Sequence, residues 1–114
     1  MSGTDDTTQA TIENHLHAFF QQNIDGVLAD YAEDAVMLIP EGPLHGRAEI
    51  RNFFTNFMDT LPSGFLEAFK MRRQEFVGEL GYIIWDARPW VQFATDTFVV
   101  RDGKIALQTF APHP

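Results

Sequence analysis

A chain of 114 residues has the length of one ordinary domain and leaves no room for a second core. Its formal charge of −8 argues against nucleic acid or an anionic membrane surface as a partner, because both call for extended basic surfaces. With no cysteine there is no disulfide framework, thiolate nucleophile or thiolate metal site, while 45% apolar residues, eleven Phe among them, suffice for a core and hint at an aromatic-lined cavity.

Residues 1–6 read as a flexible tail and 7–114 as a single domain. The start, Met1 to Thr8, is polar and acidic rather than basic and then apolar, and no long apolar run follows, so the expected location is the cytoplasm. From about Thr8 to Gln22 the stripe Ile12, Leu16, Phe19, Phe20 has helical spacing, with Thr7 or Thr8 as its cap. Asp25 is placed to cap a short second helix carrying Val27, Leu28 and Tyr31. Ala35 to Ile39 then reads as a short strand ended by Pro40, and Glu41 to Gly46 as a loop.

The clearest helix runs from Arg47 to Leu61, where Ile50, Phe53, Phe54, Phe57, Met58 and Leu61 form one stripe, and Pro62 and Gly64 stop it. Beyond Gly64, β-branched and aromatic residues predict antiparallel strands over Phe65 to Val77, Gly81 to Arg88, Val91 to Arg101 and Lys104 to Phe110. Asp102-Gly103 is a strong signal for a hairpin between the last two. Helices followed by a meander predict an α+β domain with helices on one face of a curved sheet.

Tyr31-Ala32-Glu33-Asp34-Ala35, Pro40 to Gly46, the helix opening Arg47-Ala48-Glu49-Ile50-Arg51-Asn52-Phe53-Phe54, and the closing Asp96 to Ile105 with Gln108-Thr109-Phe110 together resemble the NTF2-like superfamily, in its SnoaL-like and ketosteroid-isomerase-like branch. The resemblance implies a cone-shaped, cystatin-like fold, with helices packed in a strongly curved mixed or antiparallel sheet. That superfamily hosts isomerases, cyclases, dehydratases, epoxide hydrolases and plain binding or oligomerisation modules, so function has to be argued from the positions.

Counting from Tyr31-Ala32, the family's carboxylate base falls on Ile39, which cannot take a proton, so the chain is not expected to be a standard ketosteroid isomerase. The family's helix-one tyrosine falls on His15 and its strand acid on Asp96. His15 lies between Ile12 and Phe19 at helical spacing and is expected to point inward, whereas His17 falls on the polar side. Asp96 alternates with Ala94, Phe98 and Val100 on one strand face, where an unpaired carboxylate is costly. His15 is its expected partner, either as a catalytic pair or as two buried groups that satisfy each other structurally. Phe19, Tyr31, Ile39, Phe54, Trp85 and Phe98 are the expected lining of the pocket.

Asp86 and Arg88 are secondary candidates: with Asp96 they are similar to the water-activating group of limonene-epoxide-hydrolase-like members, in reversed order, and a rim ion pair is the other reading. The four histidines lack paired ligand spacing, so no metal and no cofactor are expected. Phe93 and Val99 face away from Asp96, which predicts a homodimer through the outer sheet face. Two functions stay open here. One is a cofactor-free isomerase, cyclase or hydrolase acting on a small apolar carbonyl or ring compound; the other is a non-catalytic ligand-binding or dimerisation module.

Overall fold

The computed structural model describes residues 2–114, with side chains from Asp5 onward. Helix α1 (Ser2–Phe20) begins well before the apolar stripe does, so residues 2–6 are helix rather than tail, and Met1 lies outside the described residues. The reason is polar docking. Asp5 Oδ1 accepts from the Gly78 N–H at 2.6 Å and Thr8 Oγ1 donates to the Gly78 carbonyl at 2.6 Å, which ties the first turns to the sheet. Thr8 and Thr11 thereby extend the buried side of Ile12, His15 and Phe19, and Thr7 and Thr8 lie within the helix rather than at its start.

Helix α2 (Ile24–Ala29) is capped by Asn23, whose side chain accepts from the Gly26 N–H, and Asp25 instead pairs with Arg51 at 2.9 Å. Strand β1 (Tyr31–Ile39) starts earlier than expected and includes Tyr31. The stretch read as loop contains strand β2 (Gly42–His45), antiparallel to β1. Helix α3 (Gly46–Asp59) buries Ile50, Phe54 and Met58, and the residues after Gly64 form a turn of helix, α4 (Phe65–Ala68), before the long strands begin.

Strands β3 (Phe69–Val77), β4 (Leu80–Ala87), β5 (Val91–Arg101) and β6 (Lys104–His113) make the predicted antiparallel meander. The β5–β6 turn places Asp102 at φ 51° and Gly103 at φ 72°, the paired positive angles for which Asp-Gly is chosen. β1 returns to pair parallel with β6, so the order is β2-β1-β6-β5-β4-β3 in one curved, unclosed mixed sheet. α1 and α3 pack against one face of this sheet, and one hydrophobic cluster joins α1 (Ile12, Phe19), α3 (Ile50, Phe54) and the inward residues Ile83, Trp85, Ala94, Phe98 and Ile105. α1 sits so close to β4 that a Cβ on Gly81 would come within 2.2 Å of Ile12 Cδ1. Among the described residues no helix is long and apolar enough to cross a membrane.

Candidate functional site

Inward residues of β4, β5 and β6 face α1 and α3 across a narrow cavity of about 40 Å³. Its walls are mostly rings: Phe19 of α1, Phe53, Phe54 and Phe57 of α3, and Phe69, Trp85, Phe98 and Phe110 of the sheet. Trp85 is sandwiched, stacking on Phe69 at 4.9 Å and lying parallel to Phe110 at 6.1 Å. Phe53, Phe57, Phe69 and Phe110 are only partly buried, so they form the outer part of the wall. As it stands the space exceeds the ~10–15 Å³ that one water needs. It falls far short of the ~300 Å³ of a typical ligand pocket, so an organic ligand enters only as these outer rings turn aside.

The polar lining is His15, Asp96 and Gln108. Asp96 projects inward from the middle of β5, between Ala94 and Phe98, as strand alternation predicts. Its partner is not His15. Asp96 Oδ1 accepts from Trp85 Nε1 at 2.8 Å and Oδ2 accepts from Gln108 Nε2 at 2.8 Å. Gln108 Oε1 in turn accepts from the Tyr31 hydroxyl, completing a buried relay from β1 through β6 to β5 and β4. Burial pushes the Asp96 carboxyl up to about 6, against the two N–H donors that favour its ionised form. The same surroundings, with Asp96 and Asp30 adding negative charge, hold the Tyr31 phenol well above its ordinary value.

His15 does point inward, as its spacing predicts, but into a cage of rings: Tyr31, Phe54 and Phe98 meet it edge-on at 5.5, 5.7 and 5.8 Å. Its Nδ1 is buried with no hydrogen-bond partner among the described residues. Burial lowers its pKa to about 4, so the imidazole is neutral at pH 7. The expected pairing of His15 with Asp96 is therefore replaced by a neutral imidazole and a separately held carboxyl that line the same cavity.

Of the expected lining, Phe19, Phe54, Trp85 and Phe98 contact the cavity. Tyr31 lies behind the lining, against His15 and Phe54 by its ring and bound to Gln108 by its hydroxyl, and Ile39 packs against the core at the end of β1 without lining the space. Asp86 and Arg88 do not join Asp96. Ile83 is the residue opposite Asp96, and Asp86 is bound instead to Arg72 across β3 and β4. The arginine hydrogen bond holds the Asp86 carboxyl below the usual carboxylate range. Among the described residues no three His, Asp or Glu side chains converge as metal ligands would.

A family model described as a SnoaL-like domain matches residues 12–108. No curated protein matches the sequence. Several solved structures share the fold. An NTF2-like protein of unknown function from Burkholderia xenovorans LB400 is 18% identical with a TM-score of 0.76, over 96% of this chain and 84% of that one. A candidate ketosteroid isomerase from Kribbella flavida DSM 17836 is 16% identical with a TM-score of 0.75, over 96% and 79%. TerC, co-crystallised with polyporic acid, is 16% identical with a TM-score of 0.74, over 94% and 92%. At such identities the likeness shows the fold.

Proposed function

This chain belongs to the SnoaL-like domain family, matched over residues 12–108, and from that premise we propose that it binds a small ring compound bearing a carbonyl or enol oxygen and moves a proton on it. One observation carries the reading: a carboxyl buried to 6% exposure, its pKa raised by burial to about 6, faces an apolar, ring-walled cavity. A group poised near the working pH can both release and accept a proton, which general acid–base catalysis requires. In this reading Asp96 exchanges the proton, while Trp85 and Gln108 fix its orientation. Neutral His15 offers a hydrogen bond to the ligand oxygen through an Nδ1 that has no partner among the described residues. The stacked faces of Trp85, Phe69 and Phe110 favour a flat ligand. TerC, of the same fold, was crystallised with polyporic acid, which supports a ligand-holding role for such a cavity.

The position of Ile39, outside the cavity lining, supports separating this chemistry from that of a standard ketosteroid isomerase. The test uses a Trp90→Phe background, in which Trp85 is the one fluorophore of its kind, and a panel of flat cyclic ketones. Quenching of Trp85 reports binding, and deuterium uptake at the carbon next to the carbonyl in D₂O reports proton transfer. Uptake that Asp96→Asn abolishes while binding persists supports the enzyme. Binding without uptake leaves a carrier, and no binding by any ring compound refutes both. The outer sheet face exposes Leu38, Leu80, Phe93 and Leu107, which supports a homodimer through that face, tested by sedimentation equilibrium.

A further inference from the structure

We propose that the outer face of β3 and β4 carries a second site, for a phosphate monoester group, built from Lys70, Arg72 and Arg88 around the buried carboxylate of Asp86. These residues and Ala68 line one depression, and no other acid lines it. Lys70 lies directly opposite Asp86 in the β3–β4 register, and irregularities between Met71 and Arg73 and between Trp85 and Ala87 put Arg72 and Asp86 at bulged positions. The Asp86 side chain is 3% exposed and the Arg72 side chain 48%, so an inner carboxylate grips the Nε edge of an outer arginine. Among the described residues Arg72 has no ion pair besides Asp86, and its half-exposed guanidinium is a planar fork suited to two oxygens of one anion.

The distribution of charge is unusual for this molecule. Arg51, Arg73 and Arg101 are each matched with one exposed acid, Asp25, Glu75 and Glu79. In the depression three cations share one carboxylate, leaving two positive charges in excess on a chain of net charge −8. Among the described residues Arg88 gives only a 3.4 Å hydrogen bond to the Gln92 carbonyl, and Lys70 has no ion pair. Two excess charges match a phosphate monoester, which carries about −1.5 to −2 at pH 7. Edge-strand protection explains cations on β3 but does not call for an acid buried on β4 to orient one of them. The site is separate from the cavity, because Phe69 and Trp85 face the cavity from the same strands that turn Lys70 and Asp86 outward.

The test is a titration of the ¹⁵N-labelled protein with inorganic phosphate at constant ionic strength, with acetate as the monoanion control. Saturable amide shifts confined to residues 68–72 and 86–88, with Kd on the order of 1 mM and acetate about tenfold weaker, are expected. Lys70→Gln with Arg88→Gln alters only exposed side chains and weakens phosphate binding by about tenfold or more, with the amide spectrum otherwise intact. Shifts that fail to saturate, match those in acetate, or persist unchanged in the double variant would overturn the proposal and leave the cluster as edge protection.

Discussion

Trp85 Nε1 donates to Asp96 Oδ1 at 2.8 Å, so the ring at the centre of the aromatic stack is also one of the two donors that hold the buried carboxyl. Shape and acidity of the cavity are therefore coupled through a single side chain. Replacing Trp85 by Phe keeps a ring but removes a donor that favours the ionised form. Asp96 is then expected to titrate above its present value of about 6, read from the carboxyl ¹³C shift against pH.

Asp96 and His15 act on stability with opposite signs. Asp96 has its pKa raised on folding from 3.8 to about 6, so its contribution is full below pH 3.8 and lost as pH rises through about 6. His15 has its pKa lowered from 6.5 to about 4, so its contribution is present above pH 6.5 and lost as pH falls through about 4. Each shift is worth about 3 kcal/mol, and between about pH 4 and 6 they oppose each other. Urea midpoints of the native protein are expected to change little across that range.

Asp96→Asn should expose the His15 slope alone, with stability rising from about pH 4 to about 6.5. The amide can be satisfied: it accepts from Trp85, and a flipped Gln108 accepts from it while donating to the Tyr31 oxygen. Because no charge is then buried, the variant is expected to be more stable than the native protein at pH 7, by about 1–3 kcal/mol. Activity lost with stability gained would mark a residue kept for chemistry. A less stable variant at pH 7 would argue that Asp96 is structural.

His15→Phe should leave the Asp96 slope, with stability falling as pH rises from about 4 to about 6. It removes an unpaired buried nitrogen from a cage of three rings, for a gain of about 1 kcal/mol at pH 7 by calorimetry. Ring-compound binding should weaken at the same time.

Gly81→Ala tests the seat of α1. Its Cβ would stand 2.2 Å from Ile12 Cδ1, a side chain with no exposed surface, so α1 must shift or Ile12 change rotamer. A loss of about 1–3 kcal/mol is expected in chemical denaturation.

Much of this was legible in the residues themselves. The stripe of α3, the inward alternation of Ala94, Asp96, Phe98 and Val100, and the Asp102-Gly103 turn are local signals, and each acts where it stands. The inward aim of His15 follows from its spacing between Ile12 and Phe19 in the same way. The start of α1 was hidden because its buried positions there are threonines, whose role depends on a turn more than sixty residues away.

The sequence by itself determined which residues face inward along α1, α3 and β5, because helical and strand periods are properties of a few consecutive residues. What they meet was decided by the tertiary structure. Near the turn the β5–β6 hairpin pairs Arg101 with Lys104 and Val100 with Ile105, a register that, if continued, would set Leu107 opposite Phe98. Between Val100 and Val99 the extra residue Ala106 on β6 shifts the pairing so that Gln108 stands there, turned inward, and Leu107 faces out. That shift supplies Asp96 with its Gln108 donor and leaves His15 among rings. Strand period reverses with a single inserted residue, and such an insertion depends on the curvature of the whole sheet rather than on any side chain at the bulge.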